Sequence, residues 1–140
     1  MSLTRRAALG GIAAASTAAV AGCATAESTP QESNATASTT GQILLGLTSE
    51  VAVGSGTKFP VDSMLTVLVT QPKAGVYKAF SATCTHAGCI VNGVEESQIA
   101  CGCHGARFDM DSGMAVAGPA KTALGKISVE IRGEEIWVTI

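Results

Sequence analysis

The chain has 140 residues, with 9 Lys or Arg against 11 Asp or Glu, and this length allows one domain of ordinary size. The formal net charge of −2 leaves no basic excess, which argues against nucleic acid as a partner. Glycine is abundant at 16 residues, and the chain has only 3 Phe, 1 Tyr and 1 Trp, so the composition favours a loop-rich β protein.

Residues 1–22 have the layout of an export signal. Arg5 and Arg6 precede a weakly apolar stretch that runs from Ala7 to Gly22. The adjacent arginines are similar to a twin-arginine signal, which exports folded proteins with their cofactors in place, and a general secretory signal is the alternative. The stretch is short for a membrane span, which needs about 20 apolar residues.

A cysteine ends this segment and leads into a polar linker. Val20-Ala21-Gly22-Cys23 resembles a bacterial lipobox, in which the cysteine carries the lipid. Residues 23–41 are predicted to be this lipidated cysteine and a flexible Ser/Thr-rich linker with a reach on the order of 25 Å. We therefore expect an exported lipoprotein on the outer face of the cell membrane. The alternatives are an incidental cysteine in an ordinary signal and an uncleaved signal that serves as the anchor.

Residues 42–140 are predicted to form one all-β domain. Runs rich in Val, Ile, Leu and Thr are separated by turn residues every eight to twelve positions, and no helical periodicity is long enough to predict a helix. We expect the first clear strand to end at Gln71-Pro72 and the second to be half-buried. The clearest segments are Leu65–Thr70, Val76–Ser81, and a hairpin of Lys126–Ile131 with Ile136–Val138.

Two short segments contain both histidines and four of the five cysteines. The first reads Cys84-Thr-His-Ala-Gly-Cys89, and the second reads Cys101-Gly-Cys-His-Gly105. Four cysteines in an exported protein could form two disulfides, but a disulfide framework has no need of the histidines. Two loops that each offer sulfur and nitrogen indicate a metal site with four protein ligands.

The order of the ligands distinguishes among metals. Zinc sites usually pair like ligands within one segment, whereas each segment here has both types. This arrangement suits a two-metal cluster in which two thiolates bind one iron and two imidazoles bind the other. Attachment of a c-type haem is excluded, because the second segment reads Cys-x-Cys-His rather than Cys-x-x-Cys-His.

The paired motif resembles the Rieske iron–sulfur protein family of cytochrome bc complexes, whose [2Fe–2S] centre has two Cys and two His ligands. The resemblance covers about residues 83–120. It implies an antiparallel β-sandwich or barrel with a small cluster-binding subdomain of loops and short strands. It also implies that Cys84 and Cys101 bind one iron, and that His86 and His104 bind the other.

The resemblance assigns further roles around the cluster. Cys89 and Cys103 match the disulfide pair of the bc-type branch, which Rieske dioxygenase components lack; two free thiols are the alternative. Residues 118–120 (Gly118, Pro119 and Ala120) match the proline loop that covers the cluster. Ala106 and Phe108 stand where high-potential relatives have Ser and Tyr hydroxyls, so we expect a lower reduction potential.

The functional expectation is electron transfer. Two imidazoles in place of two thiolates remove negative charge from the centre and raise its potential. In the family the exposed histidines dock against quinol, and the electron then passes to a c-type cytochrome.

Departures from the bc branch limit the analogy with a complex subunit. Ala87 stands where the branch usually has Leu, and Gly102 replaces the usual Pro. We therefore expect a membrane-tethered carrier that is not catalytic alone. The alternatives are the Rieske subunit of a quinol:cytochrome c oxidoreductase, with cytochrome b as partner, and a small subunit of another exported oxidoreductase.

Overall fold

The structure, a computed structural model, describes residues 41–140. The predicted export signal, Cys23 and the linker up to residue 40 lie outside the described residues. From residue 41 onward the only helical element is a 3-10 turn at Thr48–Glu50, and no helix is long and apolar enough to cross a membrane. The strands of this part of the chain are β1 (Gln42–Leu47), β2 (Gly56–Pro60), β3 (Thr66–Lys73), β4 (Val76–Ser81), β5 (Gly93–Glu95), β6 (Gln98–Cys101), β7 (Ala106–Asp109), β8 (Ala115–Ala117), β9 (Lys126–Arg132) and β10 (Glu135–Thr139). The predicted all-β class is confirmed.

Six strands form the larger sheet, in the order β1-β10-β9-β4-β3-β2, and all neighbours are antiparallel. The sheet is curled, because its edge strands approach each other: a Cβ on Gly46 of β1 would lie 2.7 Å from the Phe59 ring on β2. The concave face encloses the first core, which comprises Val51, Phe59, Val67, Val69, Ala79, Ile136 and Val138.

The predicted hairpin near the C-terminus is present as β9 and β10. Arg132 pairs with Glu135, so Gly133 and Glu134 form a two-residue loop. Gly133 has a φ of +62°, a conformation that glycine adopts without steric cost. The alternation of β9 and its turn glycine were therefore sufficient to place this element from the sequence.

Strand β3 differs from its prediction. It begins at Thr66 and continues through Gln71-Pro72 to Lys73, so the predicted end at Gln71-Pro72 was wrong. The pairing with β4 shifts register between Thr70 and Lys73. Pro72 has no N–H to donate to a neighbouring strand. At a bulge one residue is left unpaired, so the strand continues through Pro72 without a missing hydrogen bond.

The smaller sheet has the order β5-β6-β7-β8 and is also antiparallel. It packs against the convex side of the larger sheet, where Leu68 of β3 and Phe80 of β4 are buried. The second core lies between the sheets and comprises Leu68, Phe80, Ala82, Cys84, Val91, Ile99, Cys101, Ala106, Phe108, Met110, Ala120 and Leu124.

This packing corrects the prediction for β4. Its bounds are those predicted, but Ala79 and Phe80 are both buried, one in each core, so the strand is half-buried only in its first part. A side-chain hydrogen bond also connects β3 to the residue that follows β7: the Thr70 hydroxyl donates to the Met110 carbonyl at 2.7 Å. The cysteines of the predicted metal site thus lie in a core supported from both sides.

Candidate metal centre

The two predicted ligand segments form two loops at one end of the smaller sheet. The first loop, Cys84–Cys89, follows β4 and is closed by a hydrogen bond from the Cys84 N–H to the Cys89 carbonyl at 2.7 Å. The second loop, Cys101–Gly105, connects β6 to β7, where Cys101 pairs with Ala106. Both loops therefore begin at a cysteine held by backbone hydrogen bonds, in a strand for Cys101 and within the loop for Cys84.

The loops share one local construction. In each loop, the glycine four residues after the first cysteine donates its N–H to that cysteine's carbonyl: Gly88 to Cys84 at 2.9 Å, and Gly105 to Cys101 at 3.0 Å. Both glycines have positive φ, +77° and +74°, which residues with a Cβ rarely adopt. Each turn folds its histidine back beside the other loop.

The four predicted ligands are arranged as a sulfur pair and a nitrogen pair. Cys84 and Cys101 are each 3% exposed and lie side by side as free cysteines in the second core. His86 and His104 are exposed, with their ring centroids 4.7 Å apart and their planes at 81°. The site therefore has a dry sulfur side and a solvent-facing imidazole side.

The electrostatics of the sulfur pair favour a bound cation. Burial raises the pKa of the Cys84 thiol above its ordinary value, and the neighbouring Cys101 sulfur adds to the rise. The backbone N–H groups of His86 and Ala87 oppose this effect, because they donate to the sulfur. Two thiolates this close together need a positive charge between them, and metal ions supply it.

A pair of irons fits this donor set better than one zinc ion. The four side chains fall into a sulfur pair, Cys84 with Cys101, and a nitrogen pair, His86 with His104. A cluster that takes two thiolates on one iron and two imidazoles on the other matches that division.

The remaining two cysteines of the loops form a disulfide, as predicted. Cys89 and Cys103 are joined with a Cα–Cα separation of 6.6 Å, so the first loop is linked covalently to the second. Cys84 and Cys101 take no part in this bond and remain free cysteines.

Residues 118–122 lie against both loops. Gly118 has a φ of +80°, and a Cβ there would lie 2.5 Å from the Gly105 carbonyl oxygen and 2.7 Å from the Ala106 Cα, so only glycine fits. The Thr85 hydroxyl donates to the Thr122 carbonyl at 2.8 Å. The predicted proline loop, residues 118–120, therefore touches the second loop through Gly118, and Thr122, two residues after it, touches the first loop.

Comparison with known proteins agrees with this geometry. Residues 42–129, more than half of the chain, match the Rieske [2Fe-2S] domain family. The chain belongs to this family. Its cofactor is a [2Fe–2S] cluster, and the Cys89–Cys103 disulfide fits the cytochrome bc-type branch of the family.

Two relatives illustrate the extent of the match. The cytochrome b6-f complex iron-sulfur subunit of Chlorobaculum thiosulfatiphilum is 33% identical over 99 residues, which are 70% of this chain and 53% of that protein. The subunit of the same name from Chlorobaculum tepidum is 34% identical over 100 residues, 71% of this chain and 54% of that protein. The chain thus spans about half the length of these relatives.

Solved structures give the same fold. The plasma-membrane Rieske protein of Synechocystis PCC 6803 is 28% identical with a TM-score of 0.61, covering 70% of this chain and 99% of that one. The ferredoxin of carbazole 1,9a-dioxygenase from Nocardioides aromaticivorans IC177 is 29% identical with a TM-score of 0.60, and the match covers 70% of this chain and 96% of that one.

Two further predicted residues of the Rieske site lie in the second core. Ala106 and Phe108 alternate on β7, both are fully buried, and both belong to the core that contains Cys84 and Cys101. Successive odd or even positions of a strand share a face, so both side chains are directed to the core of the cluster site. The roles assigned to them remain predictions.

Sequence reasoning missed two residues that hold the loops. Asn92 accepts a hydrogen bond from Gly102 in the second loop, and Lys58 reaches the carbonyl of Val91 between the loops. Neither residue lies inside a motif, and each acts across a long chain separation or through backbone atoms. The only available sequence signal was Gly102 itself, a residue that leaves space for a neighbour.

Proposed function

We propose that the Rieske domain is the redox centre of an exported, membrane-tethered electron carrier, in which Cys84 and Cys101 hold one iron and His86 and His104 hold the other. The observation that carries the ligand assignment is the separation of a buried sulfur pair from an exposed imidazole pair. When bound, the [2Fe–2S] cluster supplies one-electron chemistry.

The buried and the exposed residues of the site have different roles. The second core keeps water from the two sulfurs, so negative charge there is balanced by metal and backbone N–H groups rather than by solvent. His86 and His104 present the exposed edge through which a partner makes contact. A ring nitrogen that binds no metal can hold a proton at that edge, which couples proton uptake to electron uptake.

A cytochrome bc-type complex is the second candidate for the protein's setting. The support is the similarity to cytochrome b6-f iron-sulfur subunits, together with the disulfide between the loops. In that setting the imidazole edge would meet quinol, which delivers electrons and protons together, and a cytochrome b would be the stable partner. A c-type cytochrome is the proposed acceptor in both settings.

The ligand assignment is tested by electron paramagnetic resonance of the full chain. His104→Cys should change the Rieske-type spectrum and lower the potential toward the value of plant-type ferredoxins with four Cys ligands, about −400 mV, because a third thiolate adds negative charge to the centre. Cys84→Ser should remove or alter the signal, whereas Cys23→Ser, outside the domain, should leave it unchanged. A wild-type spectrum in His104→Cys would overturn the assignment.

The tether is tested by fractionating cells that express the full chain. Cys23→Ser should move the protein from the membrane to the soluble exported fraction, and Arg5→Lys with Arg6→Lys should block export of the folded form. Membrane retention of Cys23→Ser would point to an uncleaved anchor instead. Stable co-purification with a cytochrome b from solubilised membranes would favour the complex over the free carrier.

A further inference from the structure

Two residues that lie between the ligand loops, Val91 and Asn92, form a junction of hydrogen bonds. The Val91 N–H donates to the Ala82 carbonyl at 2.9 Å, two residues before the first loop begins. The Val91 carbonyl accepts from the Lys58 ammonium of β2 at 3.0 Å. The Val91 side chain is fully buried in the second core. Val91 therefore anchors the junction to the larger sheet and to the start of the first loop.

Asn92 connects the same junction to the second loop. Its N–H donates to the Ala100 carbonyl of β6 at 2.7 Å. Its side-chain oxygen accepts from the Gly102 N–H at 3.2 Å. Gly102 stands between Cys101, a proposed ligand, and Cys103 of the disulfide. The side-chain bond thus acts on the backbone of the second loop between its two chemically important cysteines.

The Asn92 amide and Gly102 also fit each other sterically. A Cβ on Gly102 would lie 2.8 Å from the Asn92 amide nitrogen, 3.0 Å from its oxygen and 3.3 Å from its Cγ. The amide group therefore covers the glycine where a side chain would otherwise be. Proline at position 102 would lose the N–H donor and meet the same atoms.

We propose that Asn92 is a positioning residue for the second ligand loop. Glycine has the greatest backbone freedom of any residue, so Gly102 by itself would leave the segment between Cys101 and Cys103 poorly restrained. Asn92 supplies the restraint through a hydrogen bond, alongside the disulfide that joins Cys89 to Cys103. The proposal rests on the assignment of Cys101 and His104 as ligands.

The first test compares two substitutions in the cluster-containing full chain. Asn92→Leu keeps the shape without the acceptor, and it should lose the cluster to excess chelator about threefold to tenfold faster and broaden the Rieske-type spectrum. Asn92→Asp keeps the acceptor and should keep the wild-type rate of loss. Its added negative charge should disfavour reduction about threefold, a shift of about −30 mV at 59 mV per tenfold. Gln98→Met, an amide-to-apolar change on β6, is the control and should match wild type.

The second test asks whether a proline can replace the pair. Gly102→Pro alone should lose the cluster fastest, since it clashes with Asn92 and removes the donor. Asn92→Ala clears the space, so the double variant Asn92→Ala with Gly102→Pro should retain the cluster longer than Gly102→Pro alone. This rescue remains informative even where Asn92→Leu yields little folded protein.

The outcomes separate this proposal from the ligand assignment. If the wild-type protein shows no Rieske-type spectrum, the ligand assignment is wrong, whatever the variants show. A normal wild-type spectrum, combined with wild-type cluster loss in Asn92→Leu or with no rescue in the double variant, refutes the role of Asn92 alone.

Discussion

Hydroxyl groups added on the buried side of the Rieske site should raise the reduction potential of this protein. Ala106→Ser and Phe108→Tyr introduce one hydroxyl each at fully buried positions of β7, in the core that contains Cys84 and Cys101. A hydrogen bond to sulfur strengthens as the sulfur gains negative charge, so it stabilises the reduced state more than the oxidised state.

The expected size follows from the burial of the two positions. A hydrogen bond to a charged group contributes roughly 1.5–3 kcal/mol, and only the difference between oxidation states changes the potential. At full burial no water competes for the hydroxyl, so we take that difference as about 1 kcal/mol per bond. This corresponds to roughly 40 mV per hydroxyl for one electron, and roughly 80 mV for both.

The two positions differ in available space. The Ala106 backbone is packed against Gly118, whose hypothetical Cβ would lie 2.7 Å from the Ala106 Cα. Phe108→Tyr adds its oxygen at the far end of the ring, away from this backbone contact. We therefore expect Phe108→Tyr to give the cleaner shift.

Redox titration of the full chain, followed by voltammetry or paramagnetic resonance, measures the effect. The wild-type value should lie well below the family's upper limit of about +300 mV, which suits a lower-potential donor such as menaquinol. Phe59→Tyr places the same hydroxyl in the first core, away from the site, and should leave the potential unchanged. The reasoning fails if the double variant does not move upward, or if Phe59→Tyr moves equally.

Three further predictions concern stability. Cys89→Ser should destabilise the fold by about 2–5 kcal/mol and speed cluster loss, as measured by thermal denaturation and chelator challenge. Hydrogen bonds from the Ser112 hydroxyl and N–H lower the pKa of Asp109. The ionised carboxylate therefore contributes to the folding stability above its unfolded pKa of about 3.9, and this contribution is lost as the pH falls through the lower folded pKa. Asp109→Asn should therefore lower the free energy of unfolding by about 1 kcal/mol at pH 7, and the stability of this variant should fall less steeply in acid than that of wild type. An acid profile identical to that of wild type would contradict this. Glu96 and Ser97 form the β5–β6 turn with φ of +50° and +64°, so Glu96→Asn with Ser97→Gly should raise stability by about 1 kcal/mol in the same denaturation assay.

The sequence by itself determined the local shape of the two ligand loops. Each ligand loop is a short turn whose shape depends on its own glycine, Gly88 or Gly105, and on one backbone hydrogen bond to the preceding cysteine. The turn itself depends on contacts within a few residues, so residue types and spacing were sufficient to predict a metal site here. The β9–β10 hairpin was predictable for the same reason, since Gly133 and the flanking alternation act within a few residues.

Burial on both faces of β3 and β4 was decided only by the tertiary structure. An alternating strand is half-buried until a second sheet covers its other face, and the smaller sheet does so at Leu68 and Phe80. The turn at residues 96–97 is a comparable case: Glu and Ser have no preference for positive φ, and pairing of β5 with β6 holds them there. The bond between Asn92 and Gly102 also depends on how the loops are packed together. Contacts between segments far apart in the chain have no local signature, because their free energy appears only once the chain is folded.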